Sequence, residues 1–207
     1  MKKDYTVILL VVDRSGSMAT IRKEAETALN EMVKAQKELP GTLGIKLVAF
    51  DNEIDSRPLV NANEFDYFKL SPRGLTALHD AMGKGITELD SELAALTEDG
   101  RPDKVLVVTI TDGIENCSQE YTGSVIKDLI TKQKKDHNWE FIFLAAGQDA
   151  VTTASNLGID RGRSMTFAAS DKGVTESVIA TTRYMTDYRS GLETTGFTDE
   201  DRFKSMG

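Results

Sequence analysis

Tyr5-Thr6-Val7-Ile8-Leu9-Leu10-Val11-Val12-Asp13-Arg14-Ser15-Gly16-Ser17 decides the fold. Eight residues without a charge, rich in β-branched side chains, end abruptly on a carboxylate and a Ser-Gly-Ser turn. A strand that is apolar at every position, not at alternate ones, is buried on both faces, as at the centre of a parallel sheet. A second stretch of the same kind, Lys104–Ile110, runs into Thr111-Asp112-Gly113. Two buried strands each ending in Asp form the frame on which the rest of the chain is read.

Downstream of the first strand, Ile21, Ala25, Ala28, Leu29, Met32 and Val33 recur at helical spacing and give a helix with one apolar stripe. Leu39-Pro40-Gly41 stops it. A strand is expected over Gly44–Asp51. After the turn-like Asp51-Asn52-Glu53, the run Ile54–Val60 is expected to return as an antiparallel edge strand. A second helix is expected from Thr76, its N-cap, with Leu78, Met82, Ile86, Leu89 and Leu93 buried; Gly83 and Gly85 would let it approach the sheet closely. Further on, the pattern predicts a helix near Thr122–Lys135, a strand at Glu140–Ala145 and a short helix at Asp149–Leu157. A strand at Ser164–Ala168 and a helix near Lys172–Arg189 complete it. Strands alternating with helices give an α/β, doubly wound, mostly parallel sheet with helices on both faces. Residues 1–189 form the domain, and residues 190–207 are expected to be an extension, mobile or docked elsewhere.

Composition narrows the function. The chain has 207 residues, 40% hydrophobic and 28% charged, the balance of an ordinary globular protein. Its 25 basic and 33 acidic residues give a net charge of −8, which disfavours nucleic acid and anionic membranes as partners. No apolar run approaches the ~20 residues of a membrane span. The single cysteine, Cys117, excludes an internal disulfide framework, and Met1-Lys2-Lys3-Asp4 enters the first strand without a cleavage signal, so a cytoplasmic location is expected. Cys117, His79 and His137 do not have zinc spacing.

In an open α/β sheet, ligands collect at the carboxyl ends of the strands. Asp13 and Asp112 stand there. Ser15 and Ser17 follow Asp13 in a turn, and Thr76 opens a helix after a Gly-containing loop. Two carboxylates and three hydroxyls make an all-oxygen set suited to a hard cation, Mg²⁺ with Mn²⁺ as a substitute.

These residues carry a resemblance. Asp13-Arg14-Ser15-Gly16-Ser17 matches the Asp-x-Ser-x-Ser motif of von Willebrand factor type A domains. Gly74-Leu75-Thr76-Ala77-Leu78-His79-Asp80-Ala81 resembles that family's threonine loop, and Thr111-Asp112-Gly113 its second aspartate loop. The resemblance covers roughly residues 5–189. It implies a six-stranded sheet with one antiparallel edge strand and a metal-ion-dependent adhesion site. In that site Ser15, Ser17 and Thr76 would coordinate the metal, and Asp13 and Asp112 would hold it directly or through water. It also implies a compact member of the bacterial or phage type, acting by binding a partner protein's Asp or Glu and not by catalysis.

Arg14 and Arg73, one beside each loop, would form a cationic rim for an acidic partner. Glu115 would line the partner groove or cap the next helix. Asp80 is read as structural, and Trp139 as packing at a strand start. Gly147-Gln148-Asp149 would form a further wall of the groove. A metal-dependent phosphotransfer enzyme is the weaker alternative. Ser15 stands where a second Asp would be needed, and no Gly-x-Ser-x-Gly elbow, Walker loop or Gly-x-Gly-x-x-Gly cradle is present. A third reading is self-association, with the acidic run Thr198-Asp199-Glu200-Asp201 reaching a neighbour's site; against it, Thr198 followed by three acids is also a helix-start signature.

Overall fold

A computed structural model describes residues 2–147 and 150–207, with the side chain of Lys2 excepted. The long apolar run forms β1 (Lys2–Asp13), followed by a 3-10 turn, α1 (Arg22–Lys37) and β2 (Thr42–Phe50). Two short strands follow, β3 (Ile54–Ser56) and β4 (Val60–Asn61), and then α2 (Leu78–Ala94) and β5 (Pro102–Thr111). The chain continues through α3 (Gly123–His137), β6 (Glu140–Ala146), α4 (Ala150–Asn156), β7 (Ser164–Phe167), α5 (Asp171–Arg189) and α6 (Asp199–Ser205). The sheet order is β3-β2-β1-β5-β6-β7, with β4 also on β2. β1, β2, β5, β6 and β7 are parallel, while β3 and β4 run antiparallel to β2.

Alternation across β1 explains its composition. Ile8, Leu10 and Val12 face a core shared with α1 and α5, and Val7, Leu9 and Val11 face a second core shared with α2, α3 and α4. Each face buries its row, so the strand has no solvent side on which a polar residue would be favoured. Gly85 turns toward the sheet, where an added Cβ would lie 3.2 Å from Val48. Gly83 approaches the Tyr121 ring and not the sheet; a Cβ there would lie 2.3 Å from a ring carbon.

The edge strand expected over Ile54–Val60 is divided, so among the described residues the sheet has seven strands instead of six. Pro58 lies in the break and has no N–H to give to a ladder. Beside the break, Lys46 on β2 is 1% exposed. Its ammonium donates to the Arg57 carbonyl at 2.9 Å and to Glu92 at 2.8 Å, and lies 3.2 Å from Glu88. This fastens the broken edge to α2. Trp139 is buried next to β6, as expected. The predicted start of the short helix at Asp149 lies outside the described residues.

Residues 190–207 close on the opposite edge. Thr198 caps α6 in a reciprocal capping box with Asp201. Arg183 of α5 donates to both Asp201 oxygens, at 2.9 and 2.6 Å. Phe197 is buried beside Tyr184. On the outer side of β7, Arg202 donates to the Ser164 carbonyl at 2.8 Å, the Ser205 hydroxyl donates to the Thr166 carbonyl at 2.9 Å, and the Ala168 N–H donates to the Ser205 carbonyl at 2.8 Å. The segment that breaks the helix-and-strand rhythm therefore covers a sheet edge.

Candidate metal centre

The parallel register of β1 and β5 sets Val12 beside Ile110, so Asp13 comes level with Thr111 and Asp112 follows one residue on, at the same end of the sheet. Asp13 is fully buried. One of its oxygens, Oδ1, accepts the Ser15 N–H at 2.6 Å; the other accepts the Thr111 hydroxyl at 2.5 Å. Ser17 donates to Asp112 Oδ1 at 2.6 Å, and the Ser15 and Ser17 hydroxyls are 3.1 Å apart. Thr76 joins through Gly113. A Cβ at residue 113 would lie 2.6 Å from Thr76 Oγ1 and 3.5 Å from Asp13 Oδ2, so only a residue without a side chain lets these loops meet. The Thr76 hydroxyl is not used as a cap. α2 begins at Leu78 with Ala77 in the cap position and no side-chain cap bond, which corrects the expected N-cap role.

Asp13, Ser15, Ser17, Thr76 and Asp112 thus gather at one place. Burial lifts the Asp112 carboxyl to about 6; the Ser17 hydroxyl pulls it back, and the Asp13 charge pushes it further up. Burial also raises Asp13, against the hydrogen bonds from Thr111 and Ser15. Two neighbouring carboxylates, Asp13 buried and Asp112 half-buried, with serine and threonine hydroxyls and the Ser15 N–H beside them and, among the described residues, no cationic side chain bonded to either, fit a hard cation. Among the described residues no three His, Cys, Asp or Glu side chains gather around a point. The oxygen set here depends on neutral hydroxyls instead.

The surrounding loops are held by groups that the sequence did not single out. Asp51, at the end of β2, is fully buried. It accepts from Arg73 Nε at 2.7 Å and lies 3.0 Å from Arg14 Nε, an ion-pair distance without hydrogen-bond alignment. Its backbone carbonyl accepts the Ala77 N–H at 2.9 Å. Arg73 also pairs with Glu53. The two rim arginines are therefore already matched by carboxylates and are not free charges. The signal for Asp51 was available: it is a third Asp at the carboxyl end of a strand next to β1.

Glu115 faces inward, accepting from the N–H groups of His79, Cys117 and Ser118 and from the Ser118 hydroxyl. Burial works to raise its pKa, but the hydrogen bonds from Ser118 and His79 outweigh that and hold it below the usual range. Asp80 accepts three N–H groups, from Gln119, Glu120 and Tyr121, a structural use. Asn116 bonds Thr76 in both directions. Of the further wall proposed at 147–149, Gln148 and Asp149 lie outside the described residues.

A parallel sheet with an antiparallel edge and helices on both faces has counterparts among solved structures. Proximal thread matrix protein 1 from the mussel byssus, with a zinc-occupied MIDAS motif, aligns over 88% of this chain and 46% of its own, at TM-score 0.64 and 14% identity. A von Willebrand factor type A protein from Catenulispora acidiphila aligns over 87% and 42%, at TM-score 0.61 and 16% identity. This chain has the von Willebrand factor type A fold.

The pilus adhesin SpaC of Lactobacillus rhamnosus GG contains the same fold, covering 91% of this chain and 30% of the adhesin, at TM-score 0.64 and 18% identity. The chain spans less than half the length of each of these proteins. No family profile matches the sequence, and no curated protein does. Among the described residues, no helix is long and apolar enough to cross a membrane.

Proposed function

We propose that this chain is a non-enzymatic, metal-dependent protein-interaction module. Mg²⁺, or Mn²⁺ in its place, would be held by Asp13, Ser15, Ser17, Thr76 and Asp112, and would bind a partner's Asp or Glu carboxylate. The observation that carries this reading is the meeting of five oxygen-bearing side chains from three separate loops, two of them carboxylates, Asp13 buried and Asp112 half-buried. The zinc-occupied motif in the mussel protein supports a divalent cation at this place in the fold. A bound cation supplies an electrophilic centre that accepts an anionic oxygen. The protein's part is to keep the donors fixed. Thr111 orients Asp13, Asp51 holds the threonine loop through the Ala77 N–H, and Glu115 and Asn116 close the third loop on the second.

Self-association through the acidic tail is less favoured. Asp201 is bonded to Arg183 and Thr198, and Glu200 to Lys204, so these carboxylates are committed within the chain.

Thermal melting tests the reading. A ligand at 100 times its dissociation constant stabilises a fold by about 2.7 kcal/mol, which for a domain of this size is roughly 5–10 °C. Excess Mg²⁺ or Mn²⁺ is expected to raise the melting temperature by that amount over EDTA, and Asp112→Ala to remove the rise. No rise, together with no heat in a calorimetric titration with Mn²⁺, would overturn it.

Gly113→Ala provides a second test at a residue that supplies no donor. The new methyl would meet the Thr76 hydroxyl, so at least a tenfold loss of Mn²⁺ affinity is expected while the far-ultraviolet circular dichroism stays unchanged. Undiminished affinity would exclude Thr76 as a donor.

A further inference from the structure

We infer that the ligand of this site is a carboxylate carried beside a bulky apolar group, an Asp or Glu next to a large aliphatic or aromatic side chain on a partner protein, with Leu75 and Ile114 gripping the apolar part. This rests on the metal-dependent reading above and specifies its partner. Leu75 is 56% exposed and Ile114 is 69% exposed, and both are large aliphatics in the loops that carry Thr76 and Asp112. Along the chain, Leu75 directly precedes Thr76 and Ile114 directly follows Gly113, the two residues at which these loops meet.

Neither loop is loose. Gly74, before Leu75, has its carbonyl bonded by the Gly16 N–H at 3.2 Å, and Thr76, after it, is bonded both ways to Asn116. Ile114 precedes Glu115, whose carboxylate takes four hydrogen bonds. Apolar groups held on rigid loops bind with little ordering cost.

Charge points the same way. Arg14 and Arg73 are matched by Asp51 and Glu53, and a divalent cation would be matched by Asp13 and Asp112. The loaded site would then be close to neutral apart from the cation's open position, with no surplus positive rim to select a highly acidic surface. One carboxylate satisfies the cation, and the discrimination among carboxylates falls to the apolar pair.

The experiment titrates Mn²⁺-loaded protein with acetate, with 4-methylpentanoate and with 4-methylpentanamide, reading the paramagnetic relaxation of the small molecule's protons. At ~0.8 kcal/mol per buried methylene, burying part of the branched chain makes 4-methylpentanoate bind roughly tenfold tighter than acetate. The amide does not bind.

The double variant Leu75→Ser with Ile114→Ser keeps its Mn²⁺ affinity and its affinity for acetate, and loses the tenfold advantage. Equal affinities of the two acids in the unaltered protein would overturn this inference and leave the metal-dependent module standing. An advantage that survives in the double variant would overturn the assignment to Leu75 and Ile114. Mn²⁺ binding without binding of either acid would overturn both the carboxylate reading and this inference, and absence of Mn²⁺ binding would overturn the metal centre itself.

Discussion

Removing residues 190–207 is expected to make the protein associate with itself in EDTA, with a mass by light scattering that rises with concentration while the full chain's does not. The reason is the outer side of β7. There the carbonyls of Ser164 and Thr166 and the N–H of Ala168 are all taken by Arg202 and Ser205. Without them the last strand presents unpaired groups in strand geometry, a template for a second copy. Phe197→Ala separates docking from deletion. Truncating a buried aromatic costs about 3 kcal/mol or more, a fall of roughly 6–12 °C in melting temperature. A truncated chain that stays monomeric at the full chain's melting temperature would show that the tail is dispensable. If acidic tail residues instead occupied a neighbour's metal site, truncation would abolish association that Mg²⁺ promotes, so running each chain with and without Mg²⁺ tells the two apart.

The second large effect is a pH trend that reverses between metal-free and metal-loaded protein. In the metal-free fold the Asp112 carboxyl lies at about 6, above its ordinary 3.8. A raised folded pKa contributes stability that is complete below the unfolded value and is lost as pH rises through about 6. The shift is worth at most about 3 kcal/mol, and less after solvent screening of a partly exposed group.

Metal needs the ionised carboxylate, so below about pH 6 its apparent affinity falls about tenfold per pH unit. Melting in EDTA is therefore expected to drop between about pH 4 and 6 and level off above, and the gap opened by Mn²⁺ to widen over the same interval. Asp112→Asn flattens the EDTA curve. Asp201, lowered to about 2 by the bonds from Arg183 and Thr198 against its burial, loses its contribution only below about pH 4, so it leaves this window undisturbed. An EDTA curve that rises from pH 4 to 6 would contradict the assigned state of Asp112.

The grouping of Asp13, Ser15, Ser17, Thr76 and Asp112 was legible because these residues follow local rules. Each carboxylate ends an unbroken apolar strand, each hydroxyl sits in a Gly-containing turn, and such features survive in one dimension. The helices were legible for the same reason: α1 and α5 carry stripes that return every three or four residues. What the sequence hid is pairing across distance. Arg14 and Arg73 looked like free cations because Asp51, read as a turn residue, reveals its role only when β2 lies against β1. The burial of Lys46 has no local sign either, since its partners Glu88 and Glu92 are on a helix far along the chain. Glu115 looked available to a partner until the loop folded its carboxylate onto His79. The tail gave a correct local signature in Thr198-Asp199-Glu200-Asp201, but the strand edge it covers has no local sign.

The parallel pairing of β1 with β2 and β5 also bears on how the molecule assembles. Donors from three distant stretches meet only after both pairings and the start of α2 are in place. Contacts this remote in sequence make folding slow, because loop closure precedes any reward. On the proposed reading, a cation gains its full set of donors only at the end of that process. It would therefore leave the rate of folding almost untouched and retard unfolding, a lock that engages after assembly and not a nucleus for it.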